Sequence, residues 1–399
     1  MCPKFKLKKM FQSSWGVYFL VFFLPLYLVR FKFGFIPINL WELMAIFFLS
    51  IWFLKKYQEK KIKRDFFEKS FLGNKGIFWS ILIIFLFLFL SAVFNDNWMK
   101  SLGMIKSWFL IPLFFSFWAQ KVVLPRKKEN ILKSYFFSAT AISIIGLVYL
   151  ILGEMTYDGR LTAFFNSPNY LAMFLAPSVI IGWKLAKTKK TFFYLFLGII
   201  LIALYFSFSY SAWIATTIAL VIVQTKDFFR EKQKNKIFIF LIFLASMMFF
   251  LFFFQLKTEK FRSSFGMEAR SSFNSRITIW KASWKIIQES PFLGIGIANF
   301  QSKYLEYQKF FPPYLNWAVP HPHNIFLAFW LFGGIGALLG FVFLLFFWLK
   351  EFWRKKNEEN GEIVWVVLGI MTTIIIQGFF DTTYFKNDLA VIFWLNFIF

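Results

Sequence analysis

Long apolar runs alternate with short polar joints along almost the whole chain. Runs near the roughly 20 residues that a bilayer-crossing helix needs occupy Ser14 to Leu28, Phe35 to Leu54, Gly76 to Phe94 and Gly103 to Ala119. Others occupy Tyr135 to Gly153, Asn169 to Ala186, Thr191 to Ser209, Ser211 to Gln224, Ile237 to Gln255, Ile325 to Leu349, Ile363 to Phe380 and Leu389 to Phe399. The pattern predicts an all-α, polytopic membrane protein with about 12 transmembrane helices, the last one short. Residues 1–255 would hold the first nine, 256–324 one large loop and 325–399 the last three, as one integrated membrane domain. The start, MCPKFKLKKM before an apolar run, imitates a signal peptide, but no small-x-small cleavage site follows and Pro25 and Arg30 interrupt the run. A retained first helix is expected.

The joints assign sides. KKYQEKKIKR (Lys55 to Arg64), LPRKKENILK (Leu124 to Lys133), KLAKTKK (Lys184 to Lys190), KDFFREKQKNK (Lys226 to Lys236) and KEFWRKK (Lys350 to Lys356) fall on alternate connections, together with the N-terminus. The positive-inside rule places all of these in the cytoplasm and the complementary loops outside. The outward segment from Leu256 to Asn324, roughly 70 residues, is too long for a structureless connection and should contain short helices.

Composition agrees with the pattern: 59% of residues are hydrophobic and 24% aromatic, too apolar for a water-soluble domain. The formal net charge of +25 would point to nucleic acid in a soluble chain, but here the lysines and arginines cluster between apolar runs and serve orientation. No nucleic-acid partner is expected; membrane lipids are. Phenylalanine alone, at 64 residues, identifies no binding site. The single cysteine, Cys2, excludes an intrachain disulfide or a cysteine metal cluster.

Candidate chemistry concentrates in the outward segments. NSRITIWKASWKIIQES (Asn274 to Ser290) has a helix start signal at Asn274 or Ser275 and a stop at Pro291. At about 100° per residue, Ile277, Ile279, Trp280, Trp284, Ile286 and Ile287 cover one face, and Thr278, Lys281, Lys285, Gln288 and Glu289 the other. Arg276 falls in the apolar stripe and so needs an anionic partner. That partner could be a lipid headgroup, a structural carboxylate or, because it sits in the first helical turn, a phosphate. PFLGIGIANF (Pro291 to Phe300) reads as a tight turn, lacking the third glycine of a dinucleotide loop. The only two histidines, His321 and His323, lie in AVPHPHNIFLAFW. They could be interfacial, or could bind a metal, although no acidic or cysteine cluster is near in sequence and no metal is expected. The run that begins at His323 contains Gly333, Gly336 and Gly340, which allow close helix approach. A rigid helix would hold the imidazole at the membrane surface as a general base. Arg160, in DGRLTAFFNSPNYLA, offers a second cation on the same side. Glu42 and Lys106 lie inside predicted spans and should face the bundle interior.

GRLTAFFNSPNYLA, SFSYSAWIA (Ser207 to Ala215), RITIWKASWKIIQESPFLGIGIANF, HPHNIFLAFWLFGGIG and FFDTTYFKNDLAVIFW, in this order, resemble the O-antigen ligase and O-antigen polymerase superfamily of bacterial membrane glycosyltransferases, over about residues 159–399. The resemblance implies a GT-C-like enzyme of the cytoplasmic (inner) membrane, acting on its outer side. Such an enzyme transfers a glycan from undecaprenyl diphosphate to a hydroxyl of a lipid, glycan or protein acceptor, with no cofactor. By that analogy His323 is the general base with Asn324 beside it, Arg276 binds the donor diphosphate, and Arg160 is a second contact. Many relatives carry Ser-Arg where this chain has Ser209 and Tyr210, so Arg160, Arg270 or Lys106 would supply the missing charge. The chain has no Asp-x-Asp pair for a metal-bound nucleotide sugar, which suits a lipid-linked donor. Ligase and polymerase are not separated by sequence. Two readings from other classes are a transporter or flippase of lipid-linked sugars, and an inactive relative that scaffolds an envelope complex. Asp381, Lys386 and Asp388 would either line the cavity or form an interfacial salt-bridge cluster.

Overall fold

The computed structural model describes residues 14–33, 36–59, 70–187, 191–231, 252–256, 261, 272–312, 319–356 and 361–399. Among these the chain is helical apart from one short hairpin. The helices are α1 (Trp15–Phe22), α2 (Leu40–Gln58), α3 (Lys75–Phe94), α4 (Trp98–Ile105), α5 (Ile111–Val122), α6 (Glu129–Leu152) and α7 (Pro168–Ala186). They continue as α8 (Thr191–Phe206), α9 (Tyr210–Glu231), α10 (Ser272–Glu289), α11 (Phe300–Tyr307), α12 (Ile325–Lys355), α13 (Gly361–Gly378) and α14 (Asn387–Leu395).

Among the described residues, six segments are long and apolar enough to cross a membrane: α3, the continuous stretch Trp98–Val122, Pro125–Leu152, α7, α12 and α13. Helices α8 and the first part of α9 are apolar but shorter. About twelve spans were expected, and the differences have local causes. The first run breaks at Phe23, where a 3₁₀ turn (Leu24–Leu28) containing Pro25 takes over, because proline supplies no N–H to an α-helix. The second run starts late: residues Arg30–Phe33 and Ile36–Asn39 pair as antiparallel strands β1 and β2, and α2 begins only at Leu40, capped by the Asn39 side chain. This hairpin departs from the all-α expectation. The last run yields nine helical residues, too few to cross. Most of the run Ile237 to Gln255 lies outside the described residues.

Glycines set the central contact. α3 and α12 run antiparallel, with Gly336 against Phe87 and Gly340 against Ile84; a Cβ at these positions would come within 2.4 and 2.9 Å of those side chains. Small residues thus let the two helices approach closely, as expected. α12 is not continuous. Gly333 and Gly334 leave helical geometry, Gly334 at φ 67 and ψ −171. Segment 291–297 repairs the break: Ile295 N–H donates to Leu331 O at 2.7 Å, and Pro291 O accepts from Ile335 N–H at 2.9 Å and from Trp330 Nε1 at 3.0 Å. A broken helix at membrane depth is tolerated where protein satisfies the freed backbone groups in this way. The turn read in PFLGIGIANF is therefore a strut against the helix that follows His323.

Glu42 and Lys106 pair with each other. Lys106 Nζ lies 3.0 Å from Glu42 Oε2, and Asn387 Nδ2 donates to Glu42 Oε1 at 2.7 Å. Lys106 opens a π-helical turn (Lys106–Leu110) within the Trp98–Val122 span, which turns its ammonium onto Glu42 and Pro37 O. Both residues face the bundle interior, since lipid could not solvate them.

Candidate active site

His323 is fixed from both sides. The Asn324 side chain caps α12, accepting from Phe326 N–H and Leu327 N–H at 2.9 and 3.0 Å, while its Nδ2 donates to Phe379 O at 3.1 Å. Trp280 Nε1 donates to Pro322 O at 3.1 Å, tying α10 to the same loop. Between these anchors His323 holds a left-handed φ of 48, rare for a residue with a Cβ. Two of the other three non-glycine positive-φ residues among those described, Ala163 and Phe208, lie in the loops around Arg160. Such strain gathers where surrounding structure demands a particular side-chain position.

The His323 ring faces Asp381. Its Nδ1 lies 3.1 Å from Asp381 Oδ1, and Thr382 N–H donates to the same oxygen at 2.9 Å. A carboxylate can only accept, so Nδ1 carries the hydrogen, and in a neutral ring the lone pair then lies on Nε2. Asp381 is 1% exposed. Burial by itself would raise its pKa; His323 and Arg276 outweigh burial and hold the carboxyl below its usual range. Arg276 NH2 lies 4.0 Å from Asp381 Oδ2, and its Nε donates to Phe380 O at 2.9 Å. The apolar stripe of α10 thus delivers the arginine to an anionic partner. α10 begins at Ser272, two residues before the start signal read in the sequence, and ends at Glu289 before Pro291.

Arg160 closes another side. Its Nε donates to Ser207 O at 2.9 Å and NH2 to Asn169 Oδ1 at 2.7 Å, with Asp158 at 3.9 Å. The guanidinium is buried, which lowers its pKa, and it lies within electrostatic reach of Arg276, Asp381 and Tyr210. Tyr210 donates its hydroxyl to Gln255 Oε1 at 2.9 Å. Arg276 and His323 thus meet at Asp381, with Arg160 in electrostatic reach of Arg276 and Asp381, whereas Tyr210 is in reach of Arg160 alone among these residues; Arg270 lies outside the described residues. The loops that meet here are those which the charge pattern assigns to the side opposite the basic joints.

Three contributors were not identified as site residues from sequence. Asp381 was left between a cavity role and a surface salt bridge, and only folding brings it to His323. Tyr170 lies within GRLTAFFNSPNYLA but has no role assigned from sequence; its hydroxyl lies 2.9 Å from His321 Nε2. Lys386 places its Nζ 3.0 Å from the centroid of the Tyr170 ring, and burial brings that ammonium down to about 8. Burial, with His323 nearby, pushes His321 down to about 3, so its imidazole is neutral. The ring centroids of His321 and His323 are 5.1 Å apart.

His321, His323 and Asp381 each offer a ligand atom within 4.8 Å of the others, a grouping not legible in the sequence, where no acid lies near the histidines. A cation there would face the positive charge of Arg276 and Lys386, and His323 and Asp381 already bond to each other. The arrangement fits an oriented imidazole flanked by cations better than a metal centre.

These features fit a polytopic membrane protein with a candidate histidine–aspartate–arginine site at one end of its helix bundle. Residues 193–342, less than half of the chain, match the family described as O-Antigen ligase. This segment runs from α8 into α12 and contains Tyr210, Arg276, His323 and Asn324; Arg160 and Asp381 lie outside it. No curated protein matches the chain.

Proposed function

We propose that this protein is a glycosyltransferase of the cytoplasmic membrane that moves a glycan from undecaprenyl diphosphate onto an acceptor hydroxyl on the outer side. The observation that carries the reading is the His323–Asp381 pair with Arg276 beside it, at the end of the bundle opposite the basic joints. Members of the matched family are ligases or polymerases, and their substrates are lipid-linked glycans.

In this mechanism His323 Nε2 accepts the acceptor's proton as the acceptor oxygen attacks the anomeric carbon. The bond from that carbon to the diphosphate oxygen breaks, and undecaprenyl diphosphate leaves with the electron pair. Asp381 holds the Nδ1–H tautomer and stabilises the imidazolium that forms. Arg276 and Arg160 neutralise the diphosphate as it gains charge, and Asn324 keeps the histidine in register by capping α12. Tyr210 occupies the place where many relatives carry arginine, so Arg160 bears more of the donor's charge. No step requires a metal or cofactor.

The test incubates purified protein with an undecaprenyl-diphosphate-linked oligosaccharide and candidate acceptors, comparing wild type, His323→Ala and Arg276→Ala. Transfer by wild type and its loss in both variants is the expected result. Normal transfer by His323→Ala overturns the base assignment, and movement of the lipid-linked sugar across vesicles with no new glycosidic bond overturns the reading as a whole. One defined adduct marks a ligase, and a ladder of lengths a polymerase.

A further inference from the structure

A groove of about 600 Å³ opens beside the site, between α10 and the first turns of α12. Its α10 wall runs from Ile277 to Gln288, about 16 Å at the rise of an α-helix. Asn324 lines it, so the groove is continuous with the position of the base. Trp280, Trp284 and Phe311 provide broad aromatic surface, and Trp284, although part of the apolar stripe, remains 49% exposed. Lys281, Lys285 and Gln288 add hydrogen-bond donors along the same wall. The two lysines are one helical turn apart and therefore share a rim; the ammonium of Lys285 rests 3.7 Å from the centroid of the Phe310 ring.

Two kinds of molecule could lie in a groove that ends at a transferase base: a hydrocarbon chain or a sugar chain. A hydrocarbon has no use for Lys281, Lys285, Gln288 and Asn324, whose desolvation it would leave uncompensated. Sugar rings use both halves of the lining, since their C–H faces pack on aromatic rings while their hydroxyls meet the polar groups. Two ammonium groups on one rim further select anionic substituents, and among the described residues no Asp or Glu lines the groove.

Resting on the transferase reading above, we infer that this groove receives the acceptor and that the acceptor is an acidic glycan. Its rings stack on Trp280, Trp284 and Phe311, its carboxylate or phosphate groups pair with Lys281 and Lys285, and its free hydroxyl reaches His323 past Asn324.

Isothermal titration calorimetry on the full-length protein in detergent, without donor, tests this. The probes are tetragalacturonate, its carboxyl-reduced neutral counterpart, and a phosphorylated oligomannose, whose comparison tells carboxylate from phosphate recognition. At least one acidic probe should bind ten-fold or more tighter than the neutral one. The double variant K281M/K285M should abolish the preference, K281R/K285R should retain it, and Trp284→Ala should weaken every probe about equally. Equal binding of acidic and neutral probes, no binding of any, or a preference that survives K281M/K285M overturns the inference. So does displacement of the acidic glycan by a sugar-free polyprenyl phosphate, which would make the groove a lipid channel. Binding is read without transfer, so failure of His323 as the base leaves these affinities unchanged and is recognised separately.

Discussion

His323 Nδ1 and Asp381 Oδ1 meet at 3.1 Å across 58 residues of sequence. The pair joins the loop before α12 to the loop after α13, and it decides which nitrogen of the imidazole can take a proton. Asp381→Asn keeps the shape but can accept through its oxygen or donate through its nitrogen, so the wrong tautomer becomes accessible. Turnover should fall by on the order of 100-fold or more, with little change in donor binding. Single-turnover transfer, alongside donor affinity measured separately, checks this; a KM effect without a kcat effect would exclude the positioning role.

In the proposed reaction Arg276 would hold the donor through geometry as well as charge, because its Nε is used by Phe380 O while NH2 faces Asp381. Arg276→Lys keeps the charge and loses the fork. Donor affinity should drop about ten-fold, or ~1.4 kcal/mol, and Arg276→Ala should be worse. Titration with undecaprenyl diphosphate reads both variants.

Gly334 sits at φ 67, and a Cβ there would lie 1.8 Å from Phe292 O. Gly334→Ala should therefore cost about 2 kcal/mol or more, from backbone strain and displacement of the 291–297 strut. Gly198→Ala is the control, since that glycine lies within α8 with nothing within 4 Å of the added methyl. Thermal unfolding in detergent should show a clear loss for the first and little or none for the second.

Lys106→Met strands Glu42, which is buried against Asn387. An unpaired buried carboxylate costs about 3–5 kcal/mol, so the variant should unfold at a markedly lower temperature. The double variant Glu42→Gln with Lys106→Met should recover most of the loss. Recovery by the second substitution separates loss of the pair from loss of packing.

His321 is held neutral, its pKa pushed down to about 3 from the ordinary value of 6.5. A histidine lowered in the fold binds a proton more readily once unfolded, so its contribution is fully present above about pH 6.5 and declines as pH falls toward 3. The loss is at most about 1.4 kcal/mol for each pH unit in that window. Melting temperature should fall between pH 7 and pH 5, and His321→Gln should flatten that slope. An identical slope in the variant would assign the acid sensitivity to other groups.

The run of apolar helices, the alternation of basic joints, the amphipathic helix α10 and the cations Arg160 and Arg276 were all legible in the sequence. Each rests on local composition or on a period of a few residues, which hydration and helical geometry translate directly. The oddity of Arg276 was legible too, as a charge on an apolar stripe, but not its partner. Tyr170, Lys386 and Asp381 became site residues only through packing, because contacts across long stretches of chain leave no periodic trace. The hairpin before α2 and the break at Gly333–Gly334 also escaped, since an apolar run reads alike whether it is one helix or two pieces mended by another loop. The linear pattern thus determined which solvent each segment prefers, a property of single side chains and their near neighbours. Tertiary structure alone decided which polar groups face one another, because that depends on how helices distant in sequence are set side by side.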